Sequence, residues 1–220
     1  MRYPILFFDL DGTLADTTEG VLNGVRYALE NMGRPVPSPE ELRPFMGPPL
    51  TESFERFTGM SPEDAKRAED LYRVYYRDKG IFETKEYPGM RELLQTLKDT
   101  PYRMAVATSK LEPNALNVLG SFGYLPFFET VSGSTKDGSV SSKTDVILQA
   151  QRRMDCGDPS AILMIGDRKY DILGAHALGL AAAGIYTGTA DDKELEDAGA
   201  DYVVHSPEAL LDLLLLILDL

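Results

Sequence analysis

The stretch Ile5-Leu6-Phe7-Phe8-Asp9-Leu10-Asp11-Gly12-Thr13 decides the fold. Its four leading apolar residues, bounded by Pro4 and Gly12, read as a short buried strand. The strand delivers two carboxylates, at positions i and i+2, into a turn. Gly12 permits the chain to break there, because glycine accepts backbone conformations that other residues resist. Two acids at the carboxyl end of a strand suit a hard cation and phosphate chemistry.

Working outward, the 220 residues divide into three stretches. Met1 to Leu14 supply one strand and its turn. From Ala15 to Lys85 the pattern is helical, without a convincing strand. Ser38-Pro39-Glu40-Glu41 combines a cap, a proline at the first helical position and an acid at the capping-box position, and Ser61-Pro62-Glu63-Asp64 repeats it. Ala65, Ala68, Leu71, Tyr72 and Tyr75 then follow a helical stripe. Beyond Pro88-Gly89, helices alternate with short apolar strands near Tyr102–Ala107, Phe128–Ser132, Ala161–Ile165, Ala181–Tyr186 and Asp201–Val204. That alternation predicts an α/β fold, a Rossmann-like parallel sheet with helices on both faces. The expected organisation is a core of residues 1–14 and 86–220, with residues 15–85 as a small all-helical domain inserted after the first strand. The apolar C-terminal segment Leu210–Leu220 is too short to span a bilayer and reads as a core-packing helix.

In such a sheet ligands collect at the carboxyl ends of the strands. Those ends carry Asp9 and Asp11, then Thr108, Ser109 and Lys110, then Gly166-Asp167 with Asp171 four residues on. Lys143 opens the helix after the Ser132–Ser142 loop. Clustered carboxylates repel one another and call for a cation. Asp9 can attack phosphorus and form an aspartyl phosphate. Asp11 can protonate the leaving oxygen and later activate water. A Mg²⁺ held by Asp9, Asp167 and a backbone carbonyl would offset repulsion between nucleophile and phosphate. Thr108 and backbone N–H groups can hold phosphoryl oxygens, and Lys143 can neutralise charge on Asp9 and phosphate together. Asp171 would orient metal waters or Lys143 from behind.

The run Phe7-Phe8-Asp9-Leu10-Asp11-Gly12-Thr13-Leu14-Ala15-Asp16-Thr17 resembles the first motif of the haloacid dehalogenase (HAD) superfamily. Ala107-Thr108-Ser109-Lys110 resembles the second, Ser142-Lys143 the third, and Gly166-Asp167-Arg168-Lys169-Tyr170-Asp171 the fourth. The resemblance covers nearly the whole chain and is closest to the phosphoglycolate phosphatase-like group, which includes 5′-nucleotidase-like relatives. It implies Asp9 as nucleophile and Asp11 as acid/base. It implies Asp9, the Asp11 backbone carbonyl and Asp167 as Mg²⁺ ligands, with Thr108, Ser109 and Lys143 on phosphate. It also implies that the helical insert is a cap. The second acid, Asp11, separates the chain from dehalogenases. The segment Thr18–Tyr27 lacks the histidine that the superfamily's sugar-phosphate mutases use, so a mutase is disfavoured. A phosphoacceptor receiver or a non-catalytic binding protein are the rivals outside the hydrolases.

Specificity should sit in the cap, with Arg43, Gly47, Pro48, Arg73, Tyr76 and Arg77 as candidates. Arg43 is placed to meet a substrate carboxylate and Tyr76 to stack on a base. The hinges are expected near Ala15–Thr17 and Thr84–Pro88. The net charge of −13 argues against a nucleic-acid or anionic-membrane partner and leaves a small phosphorylated metabolite as the expected one. The single cysteine, Cys156, fits a reducing compartment. With no room for a signal peptide before the first strand, a cytoplasmic location and a monomer or weak homodimer are expected.

Overall fold

The computed structural model describes residues 2–46, 48–188 and 190–218. The strands are β1 (Ile5–Phe8), β2 (Ala15–Asp16), β3 (Lys85–Glu86), β4 (Arg103–Leu111), β5 (Thr130–Ser134), β6 (Ile162–Gly166), β7 (Ala181–Ile185) and β8 (Tyr202–Val204). The helices are α1 (Thr18–Asn31), α2 (Pro39–Leu42), α3 (Leu50–Thr58), α4 (Pro62–Asp78), α5 (Met90–Lys98), α6 (Glu112–Ser121), α7 (Lys143–Arg153), α8 (Lys169–Ala177), α9 (Glu194–Asp197) and α10 (Pro207–Leu218). The chain forms two compact units, Met1–Asp16 with Glu86–Leu220, and Thr17–Lys85.

The first unit holds a six-stranded sheet in the order β5-β4-β1-β6-β7-β8, with every pairing parallel. β1 is central because its four residues are apolar on both sides, and all are buried. Successive side chains point to opposite faces. Ile5 and Phe7 join Val146, Ile147 and Ala150 of α7 and Ile172 and Ala175 of α8 in one core layer. From β1 the chain builds outward to β4 and β5, then crosses to β6, β7 and β8 on the other side. The strand order therefore reverses at β1, which is where parallel α/β sheets open a crevice beyond their carboxyl ends.

The last turn of α10 is anchored at the edge of this core, where the Tyr102 hydroxyl donates to the Leu214 carbonyl at 2.7 Å. Leu210, Leu214 and Ile217 are buried along one stripe, as a packing helix requires. The expected helix ran to Leu220; its final two residues lie outside the described residues.

The second unit is helical. Ser38 and Glu41 form a complete capping box at α2, whereas at α4 only the Ser61 hydroxyl acts, accepting from the Asp64 N–H. The buried stripe of α4 is Ala65, Ala68, Glu69, Tyr72 and Tyr76. It passes through Tyr76, four residues after Tyr72, rather than through Leu71 and Tyr75. α1 approaches α4 closely because Gly24 has no Cβ: one added there would stand 2.7 Å from the Tyr72 ring. The stretch read as strand-free contains two two-residue strands at its ends, β2 and β3, which pair as a separate sheet.

Candidate active site

The groups of the site stand at strand ends and at the helix starts that follow them. β1 stops at Phe8, and Asp9 still donates its N–H to the Ile165 carbonyl of β6 at 2.8 Å. The chain then turns, with Gly12 at φ +80°, and the Leu10 carbonyl accepts from the N–H groups of Thr13, Leu14 and Ala15. A positive φ of this size favours glycine. The turn also requires glycine for space, since a Cβ at Gly12 would overlap the Asp167 carboxylate.

Asp167 follows the last residue of β6. Its carboxylate accepts from the Thr13 hydroxyl at 3.4 Å and is almost fully buried. Asp171 lies in the first turn of α8 and accepts from the Arg168 N–H at 3.1 Å. Gly166 leaves room for it, because a Cβ there would collide with the Asp171 carboxylate. Side-chain oxygens of Asp9, Asp167 and Asp171 all lie within 4.8 Å of one another. Lys143, at the start of α7, brings its Nζ to 2.9 Å from Asp9 Oδ1 and 2.7 Å from Asp171 Oδ1. The same ammonium donates to the Ala107 carbonyl at 3.2 Å.

The electrostatics of this group are demanding. Burial pushes the Asp9 carboxyl up from its ordinary 3.8 to about 6, and Asp171 and Asp11 add to the rise against the pull of Lys143. Burial works against the Lys143 ammonium, yet Asp171 and Asp9 hold it well above its ordinary value, so it is a permanent cation. Three buried carboxylates against one ammonium leave a net negative site. Asp9 Oδ1 and Asp171 Oδ1 are both buried and share the one Lys143 ammonium. Hard oxygen donors, converging and undercompensated in charge, fit a hard divalent cation.

Asp11 stands apart from that cluster. Both its oxygens accept from Lys110 Nζ, at 2.8 and 2.9 Å. Its side chain is therefore committed to Lys110, which leaves the backbone carbonyl as the part of Asp11 that remains for a metal. Thr108 is buried within β4, just past Ala107 where the register begins to shift, and its hydroxyl accepts from the Lys110 N–H at 3.3 Å. Ser109 is half-buried beside it. Asp171, expected to orient metal waters or Lys143 from behind, lies within 4.8 Å of Asp9 and Asp167 and meets Lys143 through Oδ1 and the Arg168 N–H through Oδ2.

Two features escaped the sequence reading. The loop after β7 closes on the Gly12 turn: the Thr187 hydroxyl donates to the Gly12 carbonyl at 2.7 Å, and a Cβ at Gly188 would overlap Asp167. Tyr87 is the second. Burial, and then the charges of Asp16, Asp167 and Asp11, push its phenol up, so it remains a donor at neutral pH.

The expected cap candidates fare differently. Tyr76 is fully buried within its own helical unit, where its ring stacks on Tyr72 at 5.5 Å between centroids, so its assignment as a base-stacking residue is corrected to packing. Arg77 is exposed and pairs with Asp78 at 2.6 Å. Arg73 is engaged by Glu69, which also accepts from Thr51 and Lys66. Arg43 is exposed and Pro48 half-buried, while Gly47 lies outside the described residues.

A parallel sheet that gathers acids, a buried lysine and a hydroxyl beyond its carboxyl edge is suited to phosphoryl chemistry. The family profile described as haloacid dehalogenase-like hydrolase matches residues 6–185, and the chain belongs to that family. The crystal structure of a predicted phosphatase from Clostridium acetobutylicum superposes with a TM-score of 0.93 at 38% identity, covering 98% of this chain and 99% of that one. A protein named 5′-nucleotidase from Pseudomonas aeruginosa is 36% identical over 197 residues, 89% of this chain and 88% of its own length. A protein named tyrosine-protein kinase PtkA from Mycobacterium tuberculosis is 35% identical over 202 residues, 92% of this chain and 68% of its own length. With these relatives and both acids of the first motif in place, the chain is a phosphatase of the family. Among the described residues no helix is long and apolar enough to cross a membrane.

Proposed function

We propose that the protein is a Mg²⁺-dependent phosphomonoester hydrolase acting on small phosphorylated metabolites in the cytoplasm, through an aspartyl phosphate on Asp9. The observation that carries this is the convergence of Asp9, Asp167 and Asp171 on one buried point, with Lys143 between Asp9 and Asp171. Asp9, Asp167, Asp171 and the Asp11 backbone carbonyl are the groups that would hold the cation, which supplies charge neutralisation at the phosphoryl group.

In the first half-reaction an Asp9 carboxylate oxygen bonds to phosphorus, the bond from phosphorus to the leaving oxygen breaks, and Asp11 gives that oxygen a proton. In the second, water bonds to phosphorus, the bond to Asp9 breaks, and Asp11 takes the water's proton. Thr108, Ser109 and Lys143 bind the phosphoryl oxygens, with Lys143 also holding Asp9 in line.

2-Phosphoglycolate is the substrate class suggested by the motif forms. The relative named 5′-nucleotidase supports nucleoside 5′-monophosphates as the alternative. Arg43 is the proposed contact to a substrate carboxylate, with Pro48 and Arg77 as further candidates for selecting the leaving group. Phosphate release from 2-phosphoglycolate, nucleoside 5′-monophosphates, sugar phosphates and p-nitrophenyl phosphate tests the reading. Release without added ATP separates hydrolysis from a kinase-type transfer. Failure to release phosphate from every member, with Mg²⁺ present and the protein folded, would refute it.

A further inference from the structure

Lys110 has no part in the reaction as described so far, yet it is among the most enclosed cations of the molecule. Its side chain is 6% exposed, less than the 27% of the Asp11 side chain it contacts. An exposed lysine–carboxylate pair contributes little and wanders. This one is held by construction. The register of β4 against β5 shifts between Ala107 and Leu111, so the strand end is irregular where Thr108, Ser109 and Lys110 lie. The Lys110 N–H is tied to the Thr108 hydroxyl, and its Nζ reaches both Asp11 oxygens at 2.8 and 2.9 Å. Lys143, by contrast, serves Asp9 and Asp171. The two lysines therefore divide the acids between them, and Asp11 is kept out of the converging trio.

An ammonium has three donors and no acceptor. The two Asp11 oxygens that meet it stand as acceptors in one fixed orientation. Accepting a proton from water is the task of Asp11 in the second half-reaction; giving one to the leaving group is its task in the first. We propose that Lys110 is a positioning residue for the second half-reaction, fixing the Asp11 carboxylate as the acceptor for the water that hydrolyses the aspartyl phosphate. In that step the water oxygen bonds to phosphorus, the bond from Asp9 to phosphorus breaks, and the water's proton passes to Asp11. Lys110 touches none of the reacting atoms. The inference rests on the phosphatase reading above.

The test uses p-nitrophenyl phosphate, whose leaving group departs with little help from an acid, so that only the second half-reaction demands much of Asp11. Rapid-mixing kinetics of nitrophenol release and mass spectrometry of the quenched enzyme are compared for wild type, Lys110→Met, Lys110→Gln and Lys110→Arg. Steady turnover of Lys110→Met should fall about 10–100-fold, the size of loss seen when a supporting partner is removed. Nitrophenol should appear in a burst approaching one equivalent, with a phosphorylated enzyme accumulating. Lys110→Gln should share the burst, and Lys110→Arg should restore turnover, since a guanidinium also engages both oxygens of a carboxylate. Lys110→Gln serves alone if Lys110→Met does not fold. Unchanged turnover, or a fall with neither burst nor phosphoenzyme, would overturn the assignment of Lys110. Absence of turnover in the wild type would overturn the phosphatase reading itself, and the inference with it.

Discussion

Two lysines, one near the end of β4 and one at the start of α7, do opposite things. Lys143 is shared between Asp9 and Asp171 and lies in a cluster whose negative charge exceeds its own. Lys110 is matched to one carboxylate by two hydrogen bonds. The first arrangement is undercompensated and suits a second cation, and burial raises the pKa of Asp9 there against the pull of Lys143. The second brings two hydrogen bonds to one carboxylate and orients that side chain. An active site that must place a nucleophile and an acid/base two residues apart in sequence needs both kinds of contact. On the proposed mechanism, the shared lysine stands beside the nucleophile, and Lys110 draws the Asp11 side chain away from the converging carboxylates.

The largest effect that could break this contrast is chemical. Asp9→Asn should lower phosphate release by about 10⁴-fold or more, the scale of losses for a removed nucleophile. A single-turnover assay with p-nitrophenyl phosphate would show it, and retained turnover would remove Asp9 from its role. Next in size is Lys143→Met, which leaves buried carboxylates without their cation and should destabilise the metal-free protein by about 3–5 kcal/mol. Urea unfolding in EDTA measures this. A loss as small as that of an exposed lysine would mean the shared cell is not buried in solution.

The contrast is sharpened by geometry. Gly188→Ala should push the Asp167 carboxylate out of place, since the added Cβ overlaps Asp167 and also presses on the Gly12 backbone at 2.8 Å. Mg²⁺ affinity by calorimetry should fall about 10–100-fold, the range for disturbed support of a metal ligand. Equal affinity would show that Asp167 is not held by that loop.

A smaller effect concerns pH. The Asp9 carboxyl titrates near 6 in the folded metal-free protein against 3.8 ordinarily, so the folded state holds this proton better than the unfolded chain. The stability it contributes is fully present below pH 3.8 and is lost as pH rises through about 6. Asp9→Asn should therefore be more stable than wild type in EDTA at pH 7.5, by about 1–3 kcal/mol, with the difference shrinking towards pH 4. Unfolding curves at the two pH values check the sign. The smallest expected change is at Arg43→Ala, which should raise KM for a carboxylated substrate such as 2-phosphoglycolate and leave p-nitrophenyl phosphate unaffected.

What was legible in the sequence followed from local signals. The run from Ile5 to Thr13 announces a strand and a turn because its apolar residues are contiguous and its glycine is needed at positive φ. The start of α7 was legible from the Ser132–Ser142 loop before it, and the helix begins at Lys143 as expected. The strand-end acids were legible because parallel sheets bring such ends together. Contacts between distant segments were not. Nothing adjacent to Lys110 in sequence says that it meets Asp11, since the pairing depends on the irregular end of β4. Nothing near Gly188 names Asp167 as the reason for a glycine there. Tyr76 was misread for a different reason: a stripe of period 3.6 can be drawn through Tyr75 or Tyr76, and only the packing of Tyr72 against Tyr76 settles which face is inside.

The most direct measurement is phosphate release from the phosphomonoester panel by wild type and Asp9→Asn, each with Mg²⁺ and with EDTA. Release by the wild type in Mg²⁺ alone, absent in EDTA and absent in Asp9→Asn, is the predicted result. Release that persists in EDTA or in Asp9→Asn would contradict a site in which Asp9 is the nucleophile and the converging carboxylates hold its metal.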